Sequence, residues 1–257
     1  MDRDRYLRRI GFDAPLRVDH ATLAALQRAH LLTVPFDALD CRLGRPVSVE
    51  PTDGYGKVVE QGRGGFCFEL NGLFAWLLTE LGFDVTLLAA RPFTGDGTLA
   101  PPFSHLALEV ELERPWLVDV GFGYFAREPL ALDDPDEQVQ DGRRFVVERE
   151  DGDLVAEELG MSRRWGYQFT LEPRARADFA DQCRTYATDT TSGFVQQAPV
   201  GRAFSDGWVT VTRERIIGSR GGVNLERPIV GEDDWREALA DHFGLVVRDG
   251  EVTAGDV

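Results

Sequence analysis

Apolar residues recur at helical spacing over two stretches of the first third of the chain. Leu23, Leu26 and Ala29/His30 share one face, Asp19 or Thr22 can cap the start, and Pro35 ends the run. The clearer helix is predicted over 69–81, where Leu70, Leu73, Phe74, Leu77 and Leu81 stand at i, i+3, i+4, i+7 and i+11 and Gly82 follows at the stop. In the middle third the period falls to two. Segments 85–90, 104–112, 116–120, 145–148 and 165–171 read as strands separated by Asp-Gly, Gly and Pro punctuation, which predicts an antiparallel barrel or sandwich. A short helical stretch over 175–184, strands at 207–212 and 227–230, and a helix from Asp233 to Gly244 complete the pattern. Helices, then strands, then a mixed segment predict an α+β class, and with no long linker the segments should pack as one unit. The acidic stretch 132–137 reads as a solvated loop.

Composition narrows the function classes. The 257 residues are 43% hydrophobic, too apolar for disorder, and carry 44 acidic against 28 basic side chains for a formal charge of −16. Such a chain lacks the Lys/Arg footprint of a phosphate-backbone binder. The longest strictly apolar run, Leu73–Leu78, falls far short of the ~20 residues that span a bilayer. No apolar leader follows Met1, and the chain reads as cytoplasmic. Cys41, Cys67 and Cys183 are odd in number and widely spaced, which fits neither a disulfide framework nor a zinc site, so each is by default a small buried hydrophobe and no metal is expected.

One cysteine has a special context. In Gln61-Gly-Arg-Gly-Gly-Phe-Cys-Phe-Glu-Leu-Asn71, Cys67 sits where a glycine-rich turn enters the clearest helix. The positive end of the helix dipole and its free N–H groups favour a thiolate and can hold a developing oxyanion. Gly62, Gly64 and Gly65 would let the chain turn and let a substrate approach the backbone. Taken alone, an ordinary turn with a core cysteine explains the stretch equally well.

A base and an orienter shift that balance. Leu106, Leu108, Val110 and Leu112 form one face of a strand, leaving His105 on the other; Trp116, Val118 and Val120 likewise leave Asp119 on the other face of the next. The short connection Glu113-Arg114-Pro115 makes the two strands a hairpin and the two residues diagonal neighbours. A carboxylate beside an imidazole fixes its tautomer and stabilises imidazolium, which in turn keeps a thiol ionised. A hairpin with one surface His and one surface Asp is the plain alternative, though Asp119 lies among apolar residues. His20, His30 and His242 read as structural, and Asp84 is a lesser candidate for the orienter.

Arg63-Gly-Gly-Phe-Cys-Phe-Glu-Leu-Asn, His105-Leu-Ala-Leu and Val118-Asp-Val-Gly-Phe-Gly123 resemble, in order, the three signature segments of the arylamine N-acetyltransferase family. Val34-Pro-Phe-Asp-Ala-Leu, Tyr167-Gln-Phe-Thr-Leu-Glu-Pro and Ser192-Gly-Phe194 resemble further segments of it, so the likeness covers nearly the whole chain. The resemblance implies a helical N-terminal domain (1–84) with the nucleophile, a β-barrel domain (85–174) with His and Asp, and an interdomain helix with an α/β lid (175–257). It implies Cys67 as nucleophile, His105 as base and Asp119 as orienter, in a cysteine-protease-like triad. It also implies Phe36, Phe122 and Phe194 around the acceptor, and Ser104, Gly121 and Gly123 against coenzyme A. The implied chemistry is ping-pong acyl transfer from acetyl-CoA or another thioester to an arylamine or hydrazine, with no tightly bound cofactor.

The segment Tyr124–Leu130 departs from the family pattern with bulky residues, Cys183 stands where Asn is usual, Thr190 where Pro is usual, and Pro101-Pro102 precede the His105 strand. These departures leave the triad intact and open a second reading. The amide synthases of ansamycin pathways share the triad and release a polyketide from a carrier protein by macrolactam formation. A catalytically inactive small-molecule binding module is a third reading, and a papain-type hydrolase is disfavoured by the order of the residues. An anionic donor would need a basic rim, for which Lys57, Arg63, Arg91 and Arg127 are the candidates.

Overall fold

The computed structural model describes residues 1–248 and 250–255. Its first third holds α1 (Arg3–Arg9), α2 (His20–Thr33), β1 (Phe36–Asp37), α3 (Leu39–Arg42), α4 (Pro51–Tyr55), a π-helical turn (Gly56–Glu60) and α5 (Cys67–Glu80). Asp19 caps α2 by accepting the Thr22 N–H at 2.8 Å. The helix predicted over 69–81 begins two residues earlier and is more than amphipathic: Phe68, Leu70, Leu73, Phe74, Leu77 and Leu78 are all buried. Buried almost all round, α5 is the central post of the fold, each large apolar side chain contributing ~1.5–3 kcal/mol.

The middle third is β2 (Asp84–Pro92), β3 (His105–Glu111), β4 (Pro115–Val118), β5 (Leu130–Ala131), β6 (Gln138–Gln140), β7 (Arg143–Glu150), β8 (Asp153–Leu159) and β9 (Gly166–Phe169). They form one antiparallel sheet in the order β5-β4-β3-β2-β9-β8-β7-β6, curled until its edges face each other as a nearly closed barrel. Glutamine side chains bridge the seam instead of a backbone ladder. Gln138 accepts from the Ala131 N–H at 2.7 Å and donates to its carbonyl at 2.9 Å, and Gln140 pairs the same way with Glu128 at 3.0 and 2.9 Å. Leu88, Ala107, Phe145, Tyr167 and Phe169 fill the interior. The stretch 132–137 is a loop as expected, except that Leu132 turns inward.

The last third holds α6 (Ala180–Thr188) after a 3-10 turn (Arg176–Phe179), then α7 (Gly193–Gln197), β10 (Val200–Phe204), β11 (Gly207–Val211), β12 (Arg215–Arg220), β13 (Val223–Pro228), α8 (Gly231–Phe243), β14 (Leu245–Arg248) and β15 (Glu251–Ala254). The strand predicted over 227–230 lies instead at 223–228. It pairs with β12 as an edge strand with almost every side chain exposed, so it has no buried face to give a period. The five-stranded sheet runs β1-β10-β11-β12-β13, its first strand coming from the other end of the chain. That pairing, Phe36 opposite Gly201, brings the segment before the glycine-rich turn up to the last third of the fold. Among the described residues, no helix is long and apolar enough to cross a membrane.

Candidate active site

Cys67 is the first residue of α5, and the turn before it is built by close backbone packing. Gly62 adopts φ +70°, which turns the chain. Gly64 and Gly65 do something other than admit a substrate. A Cβ on Gly64 would lie 2.2 Å from the Pro35 carbonyl oxygen, and the Gly65 carbonyl accepts the Asp37 N–H at 2.8 Å. The glycines are required because the Pro35–Asp37 segment lies against them, which corrects the expectation that they leave the backbone open to a ligand.

The helix start is held from inside. Glu69 Oε2 accepts the Phe66 N–H at 2.8 Å, one arm of a capping box whose other arm is missing because Phe66 has no side-chain oxygen. Cys67 itself is only 4% exposed. Burial pushes its thiol well above the ordinary value; the Cys183 sulfur and the Asp119 carboxylate push the same way, and the Phe68 N–H pulls back.

His105 opens β3 opposite Ala90 of β2. Leu106, Leu108 and Val110 of the same strand pack with α5, while Ala107 packs inside the barrel, so both faces of β3 are buried. His105 shares the barrel face as the alternation predicts. β4 pairs with β3 through Leu108 and Val118, and the chain leaves the sheet at Asp119, the diagonal position. His105 Nε2 lies 2.6 Å from Asp119 Oδ2, with both residues buried, which removes the surface-hairpin alternative. Burial alone would raise the Asp119 carboxyl, but His105, Asn71 and the Gly121 N–H outweigh it and hold it below the usual range. With Nε2 engaged, Nδ1 is the ring nitrogen left to exchange a proton. Asp84 is exposed at the far end of β2, pairs with Glu111, and takes no part.

Asn71, one turn after Cys67, joins the three elements. Its Nδ2 donates to Asp119 Oδ1 at 2.8 Å and to the Leu106 carbonyl at 2.6 Å, and its Oδ1 accepts the Val120 N–H at 2.8 Å. Sequence reasoning passed over it. The available signal was an amide at i+4 from the cysteine inside an otherwise apolar helix, where it must find partners. The Asp119 loop closes onto the helix start: a Cβ on Gly121 would meet Asn71 Nδ2 at 2.7 Å and the Cys67 carbonyl oxygen at 2.9 Å.

Aromatic side chains stand on two sides. Phe36, Phe66, Tyr186 and Phe194 form one wall, with Phe66 and Phe194 4.7 Å apart edge to face. Phe122 belongs to the other, packed on His105 at 5.2 Å, Tyr167 at 5.0 Å and Trp165 at 5.3 Å. Phe36, Phe122 and Phe194 are all half-buried, but only Phe36 and Phe194 belong to the same cluster, 6.2 Å apart. Of the residues expected against coenzyme A, Ser104 is buried and accepts the Tyr186 hydroxyl at 2.7 Å. Gly121 is pressed on α5, while Gly123 (φ +68°) has open space around it.

The proposed basic rim does not form. Arg63 is buried between Asp37 (3.0 Å) and Asp40 (2.9 Å), and Lys57 between Asp40 (2.8 Å) and Glu69 (2.9 Å). Arg127 pairs with Asp141 and the Gly207 carbonyl, and Arg91 donates to the Ala100 carbonyl. All four lie near the site segments in sequence, yet each finds a structural partner, because burying a cation without one is costly. The bulky segment after Gly123 is fixed too: Tyr124 stacks on Trp208 at 4.9 Å, with the Arg143 guanidinium 3.7 Å over its other face. The other histidines are structural in place: His20 stacks on Trp116, His30 is buried against Tyr6 and Phe74, and His242 ends α8 beside Phe243.

A family model described as N-acetyltransferase matches residues 19–252. The chain belongs to the arylamine N-acetyltransferase family. It is 32% identical to an arylamine N-acetyltransferase of Mycolicibacterium smegmatis over 97% of this chain and 94% of that protein. It is 37% identical to the proansamycin X synthase of Amycolatopsis mediterranei (strain S699), over 93% and 95%. Among solved structures, the Mycobacterium marinum arylamine N-acetyltransferase in complex with CoA superposes with a TM-score of 0.87 at 27% identity, covering 95% of this chain and 92% of that one. The protein is thus an enzyme of an acyltransferase family that uses acetyl-CoA as co-substrate, and its α+β fold with a nearly closed barrel is the fold of those structures.

Proposed function

We propose that this arylamine N-acetyltransferase family member is a cysteine-dependent N-acyltransferase working by a ping-pong mechanism through an acyl-Cys67 intermediate. The observation that carries this reading is the buried 2.6 Å His105–Asp119 pair beside a helix that begins at Cys67. His105 Nδ1 takes the thiol proton, and the sulfur attacks the carbonyl of the thioester donor. The carrier thiolate leaves and takes the proton back from the imidazolium. An arylamine or hydrazine then attacks the carbonyl carbon of the Cys67 thioester, the C–S bond breaks as the amide forms, and the amine's proton passes through His105 to the departing sulfur, so Cys67 is regenerated as the thiol. Asp119 stays ionised throughout, with Asn71 and the Gly121 and Phe122 N–H groups on its Oδ1. In this reading Phe36, Phe122 and Phe194 flank the acceptor, and the chain divides into 1–84, 85–174 and 175–257; one apolar cluster fills the barrel, while the first runs across both bounds through Leu106, Leu108 and Cys183.

Acetyl-CoA fits this site unevenly. Aromatic side chains such as Phe66 beside Cys67 suit an acyl group, whereas Ser104 and all four candidate cations are committed to protein partners. The second reading, an amide synthase acting on a carrier-bound polyketide, is favoured by the synthase relative and by the Tyr124 stack in the divergent loop. The two share every step up to acyl-Cys67 and differ in whether the amine arrives from solution or on the acyl chain itself.

The test is the intact mass of the enzyme after exposure to acetyl-CoA, then release of free CoA with p-anisidine. A 42-Da gain located on Cys67 and turnover with the amine are expected (the acetyl increment, by mass arithmetic ~42). Acylation only by a thioester with a tethered aromatic amine, with a cyclic amide as product, would favour the synthase. No covalent adduct with any thioester would leave the inactive binding module.

A further inference from the structure

Five charged side chains lie buried behind the start of α5, and the acyl-transfer chemistry uses none of them. Asp37 on β1, Asp40 on α3, Lys57 in the π-helical turn, Arg63 in the glycine-rich turn and Glu69 on α5 are each at most 6% exposed. Arg63 bridges Asp37 and Asp40, Lys57 bridges Asp40 and Glu69, and the chain of contacts ends on the Phe66 N–H, next to Cys67. Lys57 is the only lysine in the chain. Its charged form is favoured despite burial, because Glu69, Asp37 and Asp40 surround it. A cavity of about 530 Å³ reaches Asp40, Lys57, Arg63 and Glu69 from the surface, past Arg45 and Asp53 on its rim.

Burying three carboxylates and two cations is expensive, and such clusters are retained where they fix a geometry apolar packing would leave loose. The geometry here is that of the peptide units on either side of Cys67. We propose that Lys57 and Glu69 are positioning residues for the nucleophile, a buried ion pair that locks the first turn of α5 through the Phe66 N–H and so fixes Cys67 against His105.

The cluster carries one more negative than positive charge, so it does not activate the thiol by attraction. Its role is placement. The titratable groups on the opposite side of the helix start are His105 and Asp119; in the cluster, only the Lys57–Glu69 pair connects through Glu69 to the backbone beside the sulfur. Without Glu69 that N–H loses its acceptor. Without Lys57 three carboxylates share the cluster with Arg63 alone, and Glu69 loses its one cation partner.

The inference rests on Cys67 being the nucleophile, and alkylation separates the two. The rate at which iodoacetamide labels Cys67 is followed against pH by peptide mass in the wild type, Glu69→Ala, Glu69→Gln, Lys57→Met and the double variant Lys57→Met/Glu69→Gln. Misplacement of a reacting group by about an ångström costs on the order of 10²-fold, and Glu69→Ala and Lys57→Met should fall by that order, with an upward shift of the pH midpoint. Glu69→Gln, which keeps an acceptor for the Phe66 N–H, should recover to within about tenfold. The double variant, which keeps the acceptor and drops the pair together, should exceed Lys57→Met alone. That variant keeps the test decisive if Lys57→Met does not fold. Wild-type rates and midpoints in folded Glu69→Ala, or equal losses in Glu69→Ala and Glu69→Gln, would overturn the proposal. Wild-type protein in which Cys67 shows no preferential labelling would instead overturn the nucleophile assignment.

Discussion

Asn71 Nδ2 donates to Asp119 Oδ1 at 2.8 Å while Asn71 Oδ1 accepts the N–H of the next residue, Val120, at 2.8 Å. One amide thus fixes the carboxylate and the peptide that follows it, and its further bond to the Leu106 carbonyl holds the strand that carries His105. Replacing Asn71 with Ala should orphan several buried groups at once, a loss of about 1–3 kcal/mol for each unsatisfied partner. We expect kcat/KM for acyl transfer to drop ~10²-fold or more, because all three site elements lose their common tie. Steady-state kinetics with a thermal melt measures both effects.

Gly121 admits no side chain. The Cβ of Gly121→Ala would lie within 3.0 Å of Cys67 Cα, of its carbonyl oxygen and of Asn71 Nδ2, so the Asp119 loop must move off α5. Activity should fall while the barrel survives, since this contact lies outside its interior. Far-ultraviolet circular dichroism close to wild type with kcat/KM lowered ~10²-fold is the expected pair of readings.

The three thiols should separate by reactivity. Burial first of all pushes Cys41 and Cys183 up to about 12, so both stay protonated near neutral pH. Cys67 is also buried and pushed up, so any fast alkylation there reports proton transfer to His105. Labelling in the native protein should go to Cys67 first, and His105→Ala should remove that preference. Quantitative peptide mass spectrometry decides it.

His30 is fully buried between Tyr6 and Phe74, and burial, with Arg9 nearby, lowers its pKa from 6.5 to about 3. The folded protein holds it neutral, whereas the unfolded chain protonates it near 6.5. Its contribution to stability is therefore complete above pH 6.5 and is lost as pH falls from there toward 3, where the folded form also takes the proton. Urea midpoints measured from pH 7 to 4 should decline, by a few kcal/mol if this residue dominates. His30→Phe should flatten part of that decline; an unaltered slope would show that carboxylates carry it.

Tyr124 lies between the Arg143 guanidinium and the Trp208 ring, tying the loop after Gly123 to both the barrel and the last sheet. Tyr124→Ala should cost ~1–2 kcal/mol from the lost stacking and cation–π contacts. If the stack restricts the donor, the variant should also lower the KM for acetyl-CoA. Denaturant melts and donor kinetics check the two parts separately.

Much of the candidate site could be read before any fold was known, for identifiable reasons. Cys67 stood out because a glycine run ending in a strongly periodic helix is a local pattern. His105 and Asp119 stood out because alternation assigns a strand face without knowledge of what covers it. The helix over 69–81 was legible from its apolar spacing, whereas β13, exposed almost throughout, and the two-residue β1 and β5 gave no period to read.

The sequence by itself determined the α+β order of elements, the special setting of Cys67 and the shared hairpin of His105 and Asp119, all properties of residues close along the chain. Tertiary structure alone decided the partners. It buried Lys57 and Arg63 in ion pairs instead of presenting them to a donor, because a desolvated cation takes the nearest carboxylate that folding supplies. It made Asn71 the tie between helix, strand and loop, and set Phe36 and Phe122 in separate aromatic clusters. It also closed the barrel with glutamine side chains, since the two short edge strands bring too few backbone groups to complete a ladder. Each of these depends on residues far apart in the chain, whose meeting is fixed by packing and left unmarked by any local pattern.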